Sequence, residues 1–236
     1  MSGRLRVSVA MAAYNGEAFI KEQIASILPQ LGKEDELVIS LDPSDDRTAE
    51  VIKDFADFRI RLLDGPGQGL QKNFENALRH CGGEILFLCD QDDVWAPDKV
   101  AAVREIFENG DALLVLHDAQ ITDGALRVTE PSFFAAHGTR TGFWRNVLRN
   151  SYIGCCMAFR RPLLERILPF PDRLPMHDQW IGLRAERSGR VVLLARPLLL
   201  YRRHGGNASG ETHASLPQML RWRGQLLLAL MRRRKK

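Results

Sequence analysis

The sequence predicts an α/β fold with a mostly parallel central sheet and helices on both faces. Two observations predict it. Short apolar runs alternate with segments of helical period through the first 120 residues, as successive β-α units do. The runs are apolar at most positions, as buried strands are. Arg6 to Ala13 is the first such strand. Phe19, Ile20, Ile24, Ile27 and Leu28 then share one helical face. Glu36 to Leu41 is a second strand, and Ala49, Ile52 and Phe55 mark a short helix. Arg59 to Leu63 is a third strand, followed by the Gly65-Pro66-Gly67 loop. Leu70, Phe74 and Leu78 recur every four residues, a helix. Glu84 to Cys89 is a strand that stops at Asp90-Gln91-Asp92-Asp93. Pro97 suits a helix start, and Val100, Val103, Ile106 and Phe107 continue that helix to the strand Ala112 to Leu116.

The second half is less regular. Ser132 to Gly138 reads as a loop, Gly142 to Arg149 as a helix, Ser151 to Phe159 as a strand and Pro162 to Ile167 as a helix. A helix from His177-Asp178 to about Arg187 precedes a strand over Arg190 to Leu194. Residues 1–214 form one domain, and 215–236 a basic amphipathic helical tail.

With 236 residues, 45% hydrophobic and 26% charged, the chain has enough core to fold unaided, and disorder is excluded. No run approaches the ~18 apolar residues of a membrane span. The net charge of +4 belongs to the tail. Residues 221–236 carry seven basic groups and no acid, and the rest holds 26 basic against 29 acidic residues. That balance argues against a nucleic-acid-binding face. Arg221, Arg223 and the basic end flank Met219, Leu220, Trp222 and Leu226 to Met231, the make-up of a helix lying on a membrane surface. The four cysteines form no CxxC pair and read as reduced, partly buried thiols. The start lacks a signal-peptide apolar region, so a cytoplasmic protein is expected, at the inner face of the inner membrane where the tail docks.

In parallel α/β sheets, ligands bind beyond the carboxyl ends of strands. The strongest signal there is Ile85-Leu86-Phe87-Leu88-Cys89-Asp90-Gln91-Asp92-Asp93. An apolar strand delivers three carboxylates into one turn. Desolvating them is costly unless a cation or proton compensates. Oxygen ligands suit Mg2+ or Mn2+, which also take substrate phosphate oxygens. A solvated helix cap is the plainer alternative. Met176-His177-Asp178-Gln179-Trp180 and Tyr201-Arg202-Arg203-His204-Gly205-Gly206-Asn207 are weaker signals, and His117-Asp118 is weaker again. Gly65-Pro66-Gly67-Gln68-Gly69 lacks the register of a dinucleotide loop.

Together these segments resemble family-2 glycosyltransferases of the GT-A fold. Val7 to Gly16 is similar to their opening strand, and Asp42-Pro43-Ser44-Asp45-Asp46-Arg47-Thr48 to their D-D-G-S-x-D-x-T turn. Asp90-Gln91-Asp92-Asp93-Val94-Trp95 looks like their D-x-D region. His177-Asp178-Gln179-Trp180 and Tyr201 to Asn207 resemble later segments of rhamnosyltransferase-like members. The likeness runs from about residue 5 to 210. It implies that Ala13, Tyr14, Asn15, Glu17, Asp42, Asn73, Asp90, Gln91 and Arg202 bind a nucleoside-diphosphate sugar, carried on dTDP or UDP. It implies that Asp92 and His204 ligate Mg2+ or Mn2+. Asp178 is then the general base of an inverting transfer, with His177 and Trp180 at a saccharide acceptor, lipid-linked in cell-surface polysaccharide assembly. Leu41 stands where the family turn has its first acid, and Pro43 where it has glycine. A Mg2+-dependent aspartyl phosphatase, with Asp90 as nucleophile, and a catalytically inactive membrane-surface subunit are the competing readings.

Overall fold

The computed structural model describes residues 4–172, 174–205 and 215–231. Gly206, Asn207 and the basic end 232–236 lie outside the described residues, as does the 214/215 boundary. The first half alternates as expected: β1 (Val7–Ala13), α1 (Ile20–Ile27), β2 (Glu36–Leu41), α2 (Thr48–Lys53), β3 (Ile60–Asp64), α3 (Leu70–His80) and β4 (Ile85–Asp90). β1 is buried along its whole length, as is β4 from Ile85 to Cys89. The helices cover both faces and leave no polar side for alternation to mark. β5 (Val94–Trp95), α4 (Lys99–Glu108) and β6 (Ala112–Thr122) follow.

The second half holds β7 (Val128–Glu130), α5 (Phe133–His137), α6 (Phe143–Leu148), β8 (Met157–Arg160), α7 (Leu164–Ile167), α8 (His177–Glu186), β9 (Arg190–Arg202) and α9 (Leu216–Met231). The strand order is β3-β2-β1-β4-β8-β6-β9-β5, with β7 on β6. β1 pairs with β2 and β4 in parallel, and β2 with β3. Beyond β4 the sheet is mixed. β8 runs antiparallel to both β4 and β6, and β9 runs parallel to β6. The inserted antiparallel strand leaves β6 and β9 pointing the same way as β4. The carboxyl ends of β1, β2, β4, β6 and β9 therefore share one edge. The order reverses at β1, which puts the crevice at the ends of β1 and β4.

Three expectations change. Ser132 to Gly138 is not a loop. Ser132 caps α5 by accepting the Ala135 N–H at 3.0 Å, and Gly138 ends it at φ 61°. The strand expected over 190–194 runs on to Arg202 through Pro197, because the ladder to β6 shifts register there; an interrupted ladder tolerates a residue without an N–H. Within Ser151 to Phe159, residues 154–156 form a 3-10 turn before β8 begins.

Candidate active site

A cleft of about 1330 Å³ opens at the carboxyl edge, large enough for two substrates. Its β1–β2 end is lined by Ala13, Tyr14, Asp42 and the Gly67–Asn73 segment. Ala13 O accepts both Asp42 N and Asn73 Nδ2 at 2.9 Å. The Asn73 Oδ1 is buried with no hydrogen-bond partner among the described residues. Asp42 Oδ1 accepts the Gly67 N–H at 2.9 Å. The Gly65–Gly69 segment thus does line the cleft, not as a dinucleotide loop but as a turn folded onto Asp42. A Cβ at Gly65 would come within 2.5 Å of Asp42 Oδ1, so this approach needs glycine.

Gln91 lines the cleft, yet its amide is engaged. It accepts Tyr14 N at 2.9 Å and donates to Tyr14 O at 2.8 Å, locking the acidic turn to the first loop. A Cβ at Gly16 would meet Gln91 Oε1 at 2.3 Å. Asn15 and Glu17, expected at the donor, do not line the cleft; they bond the neighbouring 45–47 turn instead. Asn15 Oδ1 accepts Asp45 N, and Glu17 Oε2 accepts Arg47 N.

The acidic turn gathers charge. Burial, with Asp92 and Asp178 nearby, pushes the Asp90 carboxyl up to about 7. Burial pushes Asp93 well above the usual carboxylate range, and its Oδ2 has no hydrogen-bond partner among the described residues. Lys99, fully buried, donates to Cys155 O at 2.8 Å and lies over the Trp95 ring. Asp92 Oδ2 meets His204 Nε2 at 2.9 Å, and the His204 ring packs on Phe19.

These residues fit a divalent cation. Carboxylates held together at raised pKa are stabilised by added positive charge, and Asp92 with His204 offers an oxygen and a nitrogen ligand. Oxygens of Asp90 and Asp93 also lie within 4.8 Å of Cys155 Sγ. That trio is a poor metal site. Burial keeps the thiol protonated, and the Lys99 ammonium is bonded to the Cys155 carbonyl. All four cysteines are free, as expected, and buried.

Arg202 and Trp180 are corrections. Along the end of β9, side chains alternate. Tyr201 and Arg203 line the cleft, whereas Arg202 turns away. The Arg202 guanidinium donates to Asp92 O at 2.8 Å and Gly124 O at 3.0 Å and pairs with Glu22, while its N–H donates to Asp93 Oδ1 at 3.0 Å. It holds the acidic turn and does not reach the donor space. Trp180 is buried, with Nε1 donating to Ile167 O at 3.0 Å, so it offers no face to a sugar.

Asp178 and His177, in the first turn of α8, line the cleft. Burial pushes Asp178 up to about 7 and His177 down to about 4. Asp178 Oδ1 accepts the Gln179 N–H at 2.6 Å, which leaves Oδ2 for a second proton partner. His177 stacks on Phe74 at 4.7 Å, and its Nε2 has no hydrogen-bond partner among the described residues. Lys99, Phe133 and His137 were not legible as site residues; Asp93 stood in the acidic turn without a role of its own, as did, in the later segment, Tyr201 and Arg203. The two-residue period of β9 carried the signal for the last pair.

The family model "Glycosyl transferase family 2" matches residues 8–168. The chain belongs to that family. Among curated relatives, the Escherichia coli UDP-Glc:alpha-D-GlcNAc-diphosphoundecaprenol beta-1,3-glucosyltransferase WfgD is 34% identical over 170 residues, covering 72% of this chain and 64% of WfgD. The Shigella flexneri dTDP-rhamnosyl transferase RfbG is 25% identical over 226 residues, covering 85% and 73%. The chain therefore spans less than two thirds of WfgD. The fold is that of GT-A glycosyltransferases. Staphylococcus aureus TarS with UDP-GlcNAc superposes at TM-score 0.76 and 20% identity, covering 95% of this chain and 67% of that one. Glucosyl-3-phosphoglycerate synthase from Mycobacterium tuberculosis, solved with Mn2+ and UDP, superposes at 0.62 and 21% identity, covering 98% and 78%. Family membership goes against the phosphatase reading.

Proposed function

We propose that this family 2 protein transfers a sugar from a nucleoside-diphosphate sugar to a saccharide acceptor, with inversion, in cell-surface polysaccharide assembly. One observation carries this. The cleft that holds the Asp90–Asp93 turn, with His204 on Asp92, also holds the enclosed carboxyl of Asp178.

The β1–β2 end takes the nucleotide. Asp42 and the unmet Asn73 Oδ1 present acceptors to the N–H of a pyrimidine base, and the Gly67–Gly69 backbone admits it closely. Asp92 and His204 hold Mg2+ or Mn2+, which supplies Lewis-acid charge for the donor diphosphate. Asp178 takes the proton of the acceptor hydroxyl as that oxygen attacks the anomeric carbon. A base with pKa near the working pH does this efficiently. Neutral His177, stacked on Phe74, adds no charge beside it.

A dTDP-rhamnose donor follows from the rhamnosyltransferase-like segments, and a UDP-hexose is the second candidate. α9 supports a lipid-linked acceptor. Leu226 and Leu230 pack into the body, and Arg223 donates to Leu148 O at 2.6 Å. Leu220, Trp222, Leu228 and Met231 face outward, and Trp144 and Leu148 of α6 are also exposed. This apolar face with its arginines docks on the anionic cytoplasmic leaflet. No helix among the described residues is long and apolar enough to cross a membrane.

The test is transfer itself. The protein is incubated with Mn2+, dTDP-rhamnose or UDP-glucose, and a synthetic GlcNAc-diphospholipid, with products read by mass spectrometry. A one-sugar extension from either donor supports the assignment. Donor binding without transfer to this or any other saccharide lipid supports the inactive membrane-surface subunit.

A further inference from the structure

α5 is a five-residue helix with no fully buried residue; Phe133 and Phe134 pack part-buried on the core. Asp118 adds an anchor. This buried carboxylate on β6 accepts the Ser132 hydroxyl at 2.5 Å, the Phe134 N–H at 2.9 Å and the Ala119 N–H at 2.8 Å. Burying a carboxylate is costly unless it is hydrogen-bonded, and here its bonds hold the helix against the sheet. The effect is to aim rings into the cleft. Phe133 and His137 both line it and stack at 3.9 Å and 12°. Phe133 meets the Tyr201 ring edge-on at 6.2 Å. Tyr201 and Arg203 line the same wall, and Arg203 Nη1 donates to the Tyr201 hydroxyl at 3.2 Å. In the strand order β4 and its acidic turn stand between this wall and the β1–β2 end.

We propose that Phe133, His137, Tyr201 and Arg203 form the subsite for the acceptor's pyranose ring, and that Asp118 is its positioning residue. The inference rests on the glycosyltransferase reading above. A pyranose has one face lined by C–H groups, which packs on the negative face of an aromatic ring. Its edge is lined by hydroxyls, which the Tyr201 oxygen and the Arg203 guanidinium are placed to bond. His117-Asp118, a weak signal in the sequence, gains a role: Asp118 orders the wall without touching the sugar.

The experiment is saturation-transfer NMR on the full chain with diamagnetic Mg2+, UDP or dTDP, and methyl glycosides of glucose, N-acetylglucosamine and rhamnose. Wild type shows ring-proton signals for at least one glycoside. In Phe133→Ala and Tyr201→Ala that signal falls at least fivefold while the nucleotide signal stays. Phe133→Leu, which keeps bulk without a π face, falls similarly. Asp118→Asn lowers the glycoside signal with the nucleotide signal intact, a split that general loosening of the fold does not produce. Unchanged glycoside signals in the variants overturn the proposal. So does a parallel loss of nucleotide signal, which assigns the wall to the donor, or nucleotide binding in the wild type with no glycoside signal. Absence of any nucleotide signal in wild type overturns the glycosyltransferase reading itself, and this inference with it.

Discussion

The two halves of the sheet make their ends of the cleft in different ways. From β3 to β4 the chain repeats one move, and each parallel strand delivers its loop to the common edge. The β1–β2 end is built from successive β-α units and closed by loop-to-loop hydrogen bonds such as Gln91 with Tyr14. Beyond β4 the chain reaches the same edge with long-range pieces. The end of β9 brings Arg202 and His204 back to a turn 110 and 112 residues earlier. On the proposed function, the first half supplies the nucleotide frame and the second the groups that tune the acidic turn and face the acceptor.

If that division holds, changes in the second half should separate chemistry from nucleotide binding. The largest effect is expected for Asp178→Asn. It should lower transfer by about 10²–10⁴-fold, the range of a lost general base, while UDP affinity measured by calorimetry stays within about twofold. Arg202→Met should come next. It removes the guanidinium bonds to the Asp92 and Gly124 carbonyls and the pairing with Glu22. A lower Tm together with weaker Mn2+-dependent nucleotide binding is expected, because the turn loses its brace; a lower Tm alone would make Arg202 purely structural. The pH profile is a finer probe. Asp178 works ionised, so transfer should rise about tenfold per pH unit below about 7 and level above it. Asp90 interacts electrostatically with the same carboxyl, and a cation bound at the acidic turn would move the inflection down. Asp178→Asn should lose this limb. Smallest is the contrast along α9. Leu226→Ala opens a buried site and should cost about 2 kcal/mol or more. Leu228→Ala, on the exposed face, should change stability by less than about 0.5 kcal/mol yet reduce sedimentation with anionic vesicles.

The same division explains what was legible in the sequence. β1, β2 and β4 announce themselves because burial on both faces demands apolar residues at nearly every position, and the acidic turn stands out against the strand that feeds it. Asp178 was singled out by its neighbours in sequence, and it lines the cleft. Arg202 was not read correctly, because donor binding and bracing a turn both use a guanidinium, and only the alternation of β9 tells them apart. Lys99 resembles any lysine at a helix start; its burial beside Asp93 depends on β8 and Cys155, far away in the chain. α5 was taken for a loop because five residues are too short to show a helical period, and the bonds from Asp118 that hold its start come from another strand.

The most direct measurement is calorimetric titration of the protein with UDP and with dTDP, each with and without Mn2+, repeated with Asp92→Ala. Binding that requires Mn2+ in the wild type and loses that requirement or disappears in Asp92→Ala is the predicted result, and the tighter nucleotide names the donor class. Wild-type binding that is indifferent to Mn2+, or Asp92→Ala binding that matches the wild type in Mn2+, would contradict the account.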